Sequence, residues 1–331
     1  LPCGEDRSAK SGGRPIAFRP PRQNAVSCGY PGEDGSLRAM AIPAFVNPGG
    51  GSAGAAAEAL RGDSEFTVHL TEPAELPAAL RVAAAAGASR VLVAGGDGTL
   101  SRAAASLVGT PVALAVLPAG TLNHFAQYHG IPADAGEALA LAREGVVRSV
   151  DVGYVNDELF LNTSSVGAYV RYVRTRDRLE RVCGYWLASL LAGIRILATL
   201  RHQRVSLELS GTGRTYAAPL LFVGVGERTL ALPGLGQPVP DGARALHVVI
   251  PRGRWEGRRF SRAYARLDRE LPVESRELGL DHVLVDGFTL ELRRTVTEIA
   301  LDGEIKVAHV PLRYRLARDA LQLVVPQGQT G

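Results

Sequence analysis

Val91-Leu92-Val93-Ala94-Gly95-Gly96-Asp97-Gly98-Thr99-Leu100 decides the fold. Val91, Leu92 and Val93 are apolar and mostly β-branched, as a buried strand requires. Gly-Gly-Asp-Gly-Thr follows, and the Ala-rich stretch over 101–107 then reads as the start of a helix. Glycine reaches positive φ and leaves no Cβ between backbone and ligand. The first amides of a helix have no partner within it, and with the helix dipole they favour a phosphate. A plain strand-to-helix turn needs one glycine. Three glycines around an acid favour a phosphate loop.

The pattern extends on both sides. A strand over 41–46 leads into Asn47-Pro48-Gly49-Gly50-Gly51-Ser52 and a helix over 53–60. A second strand over 65–70 ends at Thr71, a helix spans 73–86, and the third strand spans 90–94. A fourth strand over 112–117 ends in Pro118-Ala119-Gly120-Thr121-Leu122-Asn123-His124-Phe125-Ala126. Strand and helix alternate with short connections, which predicts a doubly wound parallel sheet. Ligands of such sheets bind beyond the carboxyl ends of the strands. The loops at Asn47, Thr71, Gly95 and Gly120 should therefore share one edge. Neither G-x-x-x-x-G-K-[ST] nor G-x-G-x-x-G is present. With no lysine among these loops, backbone amides, arginines and a metal must neutralise any phosphate.

The periodicity changes near Val150. Strands are predicted over 150–154, 159–162, 204–209, 219–225, 246–250, 283–285, 288–293 and 297–300, with Gly, Pro and Asp between many of them. This is the pattern of a mostly antiparallel β domain. One helical insert, about 169–200, interrupts it. Residues 312–325 read as two further strands that either close this domain or return to the first. The expected organisation is a disordered tail over 1–38, an α/β domain with phosphate-binding loops over 39–148, a mostly antiparallel β domain with a helical insert over 149–326, and a short tail over 327–331.

At 331 residues the chain suits two domains. No uncharged apolar run reaches the roughly eighteen residues of a membrane span. The net charge is +4, and lysine occurs only at Lys10 and Lys306. This arginine-rich, Ala- and Gly-rich composition reflects coding bias as much as an anionic partner, so no nucleic-acid partner is expected. Cys3, Cys28 and Cys183 are odd in number and far apart, which fits a reducing cytoplasm. The tail is rich in Gly, Pro, Ser and charge and lacks the apolar core of a secretory signal. The only methionine, Met40, stands just before the first strand, so the folded protein is expected to start there.

On these marks the chain resembles the diacylglycerol kinase catalytic-domain family, especially its bacterial soluble lipid kinases, over about 41–326. The marks are Asn47-Pro48-Gly49 with Ser52, the Gly95–Thr99 loop, Gly120-Thr121-x-Asn123-x-Phe125-Ala126, Asp151-x-Gly153, Phe160-x-Asn162 with Gly167, and Asp302-Gly303-Glu304. The resemblance implies ATP-dependent phosphorylation of a hydroxyl of diacylglycerol or a related lipid, with Mg²⁺, in a cleft between an N-terminal doubly wound α/β nucleotide-binding domain and a β-sandwich domain with a helical insert. It assigns ATP contacts to Asn47, Pro48, Gly49, Gly50, Gly51, Thr71, Gly95, Gly96, Asp97, Gly98, Thr99, Leu100, Thr121 and Asn123. It assigns catalysis to Asp302 and Glu304, with Glu304 as proton acceptor, and the metal to Asp241 with Asp97. Where the family usually has Asn-Glu after the glycine loop, this chain has Ser101-Arg102; where Asn-Asp is common, it has Asn123-His124.

The residues allow two readings each. Asp97 is a metal or Thr99 partner, or a local cap of the following helix. Asp302-Gly303-Glu304, taken as extended, puts two carboxylates on one side with glycine between them, one for metal-bound water and one as general base; alternatively it is a β-turn. His124 touches a phosphate or head group, or faces solvent. Arg171, Arg174, Arg176, Arg178 and Arg181, followed by an apolar helix, lie on an anionic membrane, or face water while the helix packs its apolar face on the β domain. A peripheral lipid substrate at the inner membrane face is the expected partner. An NAD kinase-like phosphotransferase and a catalytically silent nucleotide- or lipid-binding regulator are the competing readings.

Overall fold

The computed structural model describes residues 41–49, 53–167, 170, 174–175, 178–179, 203–209, 212–230, 236–251 and 280–328. The expected tail, the glycines Gly50 and Gly51, and most of the helical insert lie outside the described residues.

Strand β3 (Arg90–Gly95) sits at the centre of the first half. Parallel neighbours flank it: β1 (Ile42–Val46) with β2 (Phe66–Leu70) beyond, and β4 (Ala113–Pro118). Alternation of side chains sends Val91 and Val93 to one face and Leu92 and Ala94 to the other. Val91 and Val93 join the apolar cluster of α2 (Leu76–Ala85) and α3 (Asp97–Leu107). Leu92 and Ala94 pack with Ala56 and Leu60 of the α1 (Ala53–Ala59) segment and with Ala138, Leu139 and Ala142 of α5 (Ala135–Glu144). All four strand residues are at most 1 % exposed, because helices cover both faces. A short helix, α4 (His124–Tyr128), follows the Gly120 loop.

The end of the chain is one strand, not the expected two. β16 (Leu312–Val325) runs fourteen residues with a bulge between Ala317 and Leu321, where Asp319 takes φ 52°. Its last turn of sequence pairs parallel with β4, its length pairs antiparallel with β5 (Val146–Val155), and its start pairs with β13 (Gly287–Leu292). The first sheet therefore continues past Arg148 through β16, β13, β8 (Gln203–Leu209) and β9 (Thr212–Ala218), with β6 (Glu158–Phe160) beside β5. The bulge locally unpairs the ladder between Ala317 and Leu321 without ending the strand.

A second, six-stranded antiparallel sheet has the order β12 (Leu280–Val285), β11 (Leu246–Pro251), β10 (Leu220–Val225), β7 (Thr163–Gly167), β14 (Val296–Leu301), β15 (Glu304–His309). One apolar cluster joins Phe160, Phe288, Leu290 and Tyr314 of the first sheet to Val166, Leu221, Val223, Val248, Ile299 and Leu301 of the second. That is the packing of a β-sandwich. The chain is thus an α/β sheet followed by a β-sandwich: the periodicity predicted a parallel sheet and then an antiparallel β domain, and the resemblance implied the sandwich. Helix α5 and strands β7, β9 and β15 were not among the predicted elements. Among the described residues no helix is long and apolar enough to cross a membrane.

Candidate active site

Three of the four expected loops are stitched together at the carboxyl edge of the parallel sheet. Asn47 Nδ2 donates to Thr99 Oγ1 at 3.1 Å, and Asn47 Oδ1 accepts from the Gly49 amide at 3.0 Å. Asp97 spends both carboxylate oxygens on the next loop, accepting from the amides of His124 at 3.1 Å and Phe125 at 3.0 Å. Asn123, at φ 50°, folds its own loop: its Oδ1 accepts from Gly120 N and its Nδ2 donates to Gly120 O. Gly96 and Gly120 meet backbone to backbone. A Cβ on Gly120 would lie 2.5 Å from Gly96 Cα. No side chain fits between these loops, which is the reason for glycine at both positions.

The Asp-Gly-Glu run is a hairpin tip, not the extended pair expected. Leu301 pairs with Glu304 across β14 and β15, and Asp302 and Gly303 take φ 47° and 89°. Two successive positive φ values make the type I′ turn that favours Asp-Gly. Asp302 then points back into the protein, accepting from the amides of Leu161, Asn162 and Thr163 at 2.7–2.9 Å. Burial pushes its carboxyl above the usual range, the three amides oppose that, and the Asp97 charge adds to the rise. Asp302 fixes the hairpin. Glu304 is the residue presented: a Cβ on Gly98 would lie 2.2 Å from its Oε1, and Arg102 lies 3.7 Å from its Oε2. Glu304 and Gly96 thus face one another across the same cleft.

Two hollows meet at this point. A small cavity of about 300 Å³ is lined by Asn47, Gly96, Gly98, Thr99, Thr121 and Glu304, with Arg102, Gly120 and Asp97. A groove of about 1390 Å³ runs from Asp97, His124 and Glu304 past Asn162 to Asp241 and Arg244. Several expected contacts fall elsewhere. Leu100 is fully buried, and its amide donates to Gly96 O within the helix, so it offers a ligand nothing. Thr71 is 7 % exposed, with its hydroxyl turned to His69 O; Pro73 lines the cavity in its place. Asn123 holds its loop and is not in the lining. Pro48 and Gly49 are exposed beyond β1.

The diacylglycerol kinase catalytic-domain model matches residues 43–155. A protein of Pseudomonas putida strain KT2440 named "Probable lipid kinase YegS-like" is 39 % identical over 267 residues, 74 % of this chain and 80 % of that one. The chain belongs to the diacylglycerol kinase catalytic-domain family. A Yersinia enterocolitica protein of the same name is 31 % identical, over 57 % of this chain and 67 % of the relative. The fold agrees as well: a crystal structure of a diacylglycerol kinase from Bacillus anthracis str. Sterne superposes with TM-score 0.61 over 88 % of this chain and 98 % of that one, at 19 % identity.

The family's marks in the second half have local reasons. Gly153 lies opposite Phe160 on β6, and a Cβ there would sit 2.3 Å from the ring. Asp151 accepts from Arg244 Nε at 2.9 Å and from the Asp319 amide at 2.9 Å. Burial works to raise its carboxyl, but Arg244, the Asp319 amide and the Arg318 charge together outweigh it and hold Asp151 below its usual range. This tie spans the groove between the loop before β11 and the bulge of β16.

One cluster had no signal in the sequence. Arg228 is 5 % exposed, donates to the carbonyls of Asn162 at 2.9 Å and Val225 at 2.6 Å, and lies over the Tyr128 ring. Its backbone amide donates to His247 Nδ1 at 2.8 Å, and His247 Nε2 lies 3.0 Å from His282 Nδ1. Burial, then the charges of His282 and Arg228 against Glu227, holds His247 down to about 4. The folded value lies below the ordinary 6.5, so the unfolded chain takes up the proton first. Stability is complete above about pH 6.5 and is lost as pH falls towards 4. The thermal midpoint should fall over that window, and His247→Gln should flatten the fall. An equal slope in the variant would remove His247 from the account.

The resemblance implies Mg²⁺. Asp97 has both oxygens on amides of α4, and Asp241, at φ 54°, is exposed in the loop before β11. Among the described residues no three Asp, Glu, His or Cys side chains converge. Asp97 and Asp241 thus stand outside any three-ligand cluster of the kind that holds a metal without its substrate, whereas Mg²⁺ is usually bound by one or two carboxylates together with substrate phosphates.

Proposed function

We propose that this chain is an ATP-dependent lipid kinase, transferring the γ-phosphoryl group to a hydroxyl of diacylglycerol or a related lipid. The observation that carries the reading is the position of Glu304, where the glycine-loop cavity opens into the large groove. The cavity has the size and backbone character of a phosphate cradle. The groove adds apolar walls, among them Leu122, Val150, Phe222 and Val239, that suit acyl chains.

Phosphoryl transfer needs positioning and charge neutralisation more than covalent help from the protein. The lipid hydroxyl oxygen forms a bond to the γ-phosphorus while the bond from that phosphorus to the β–γ bridging oxygen breaks. ADP leaves with the electron pair, and the hydroxyl proton passes to the Glu304 carboxylate. Asp302 positions Glu304 by pinning the hairpin and touches no substrate in this reading. Asp97, Asn47 and Asn123 hold the loops in register. Mg²⁺ enters as part of the MgATP co-substrate, and no protein residue is assigned to it. The protein would meet its substrate at the inner membrane face as a peripheral protein. Of the arginines expected there, Arg174 and Arg178 are among the described residues, and Arg174 pairs with Glu298.

Incubation of the purified chain with MgATP and a panel of diacylglycerol, phosphatidylglycerol, sphingoid bases and NAD tests this. A phosphorylated lipid detected by mass spectrometry supports it. Product from NAD alone would favour the NAD kinase-like reading, and no product at all would favour a silent regulator.

A further inference from the structure

The cavity of about 300 Å³ is rimmed by glycine amides and hydroxyls, and among its described lining residues Arg102 is the cation. Among the described lining residues no other side chain carries a positive charge to set against a triphosphate. The loops at this edge contain no lysine. Lys306, on β15, is tied to Glu158.

Arg102 is placed for the task by the helix it stands on. Gly98 and Arg102 are four residues apart on α3 and so share one face. Side chains on a helix lean towards its N-terminus, which carries the guanidinium back over Gly98 towards the loop. Glu304 fills the space that Gly98 leaves, and Arg102 flanks it at 3.7 Å. That pair is long and about half exposed on both sides, with side-chain exposures of 48 % and 43 %. Such pairs are weak. An arginine gains more from a phosphate, whose geometry accepts two parallel hydrogen bonds.

We propose that Arg102 is a phosphate-binding residue of this site, which exchanges its Glu304 partner for the terminal phosphate of bound ATP. The exchange does two things at once. It neutralises the group being transferred, and it frees the Glu304 carboxylate to face the acceptor hydroxyl. This inference rests on the kinase reading above and assigns to this chain's own Ser101-Arg102 a part of that reaction.

Equilibrium titration of wild type, Arg102→Gln, Arg102→Lys, Glu304→Gln and the double variant with ADP and with the β,γ-imido analogue of ATP tests it. Loss of a charge-assisted contact should weaken the analogue by roughly tenfold to a hundredfold while ADP binding barely changes. Arg102→Lys should recover part of the loss, and the loss should persist in the Glu304→Gln background. Equal effects on both nucleotides, or no effect, would overturn the assignment. So would a loss that vanishes once Glu304 is gone, since Arg102 would then act only through that carboxylate. Wild-type protein that binds neither nucleotide would instead sink the kinase reading itself.

Discussion

Glu304→Gln should reduce phosphoryl transfer by about 10²- to 10⁴-fold, the usual contribution of a positioned general base. The amide keeps the shape of the carboxylate and its place in the β14–β15 hairpin, but it cannot take the hydroxyl proton. The fold should not notice the change, because the hairpin is pinned by Asp302 through three amides and not by Glu304. Nucleotide affinity should stay close to wild type, since the glycine loops are untouched. Lipid product formation measured beside analogue binding separates the two effects. Turnover within a few fold of wild type would remove Glu304 from the chemistry.

Gly98→Ala should give nearly the same loss of turnover by a different route. The added methyl would lie 2.2 Å from Glu304 Oε1 and 3.1 Å from its Cδ. The obstacle is the end of a flexible side chain, so Glu304 swings away and the backbone stays. Gly98 lies in the first turn of α3 without positive φ, where alanine is tolerated and raises helix propensity by up to about 1 kcal/mol. The variant should therefore melt at or slightly above the wild-type temperature while losing at least about 100-fold in rate. That combination is diagnostic. A variant that melts lower yet turns over normally would mean that Glu304 does not rest on Gly98 in solution.

What the sequence disclosed follows from how local each signal is. Val91 to Ala94 announced a strand covered on both faces because that needs only an apolar run. The Asn47, Gly95 and Gly120 loops converged as expected because parallel strands present all their carboxyl ends to one edge. The roles of the acids were harder to read because their partners are remote. Asp97 serves amides 27 and 28 positions away, and Asp302 serves amides about 140 positions away. No spacing rule reports such contacts. Asp-Gly signals a turn as readily as an exposed acid, and here the turn is the device that delivers Glu304. Leu100 looked like a loop residue beside the glycines, yet α3 begins at Asp97 and its period turns Leu100 inward. Strand β7 escaped notice because Ser164 and Ser165 are polar although buried.

Hydrogen–deuterium exchange with and without the magnesium complex of the β,γ-imido ATP analogue puts the central geometry to the test. Protection is expected in two separated peptides, one over residues 96–99 and one over 119–121, with further protection at the 301–305 hairpin. Protection confined to the far end of the groove, near Asp241 and Arg244, with the glycine loops unchanged, would contradict it.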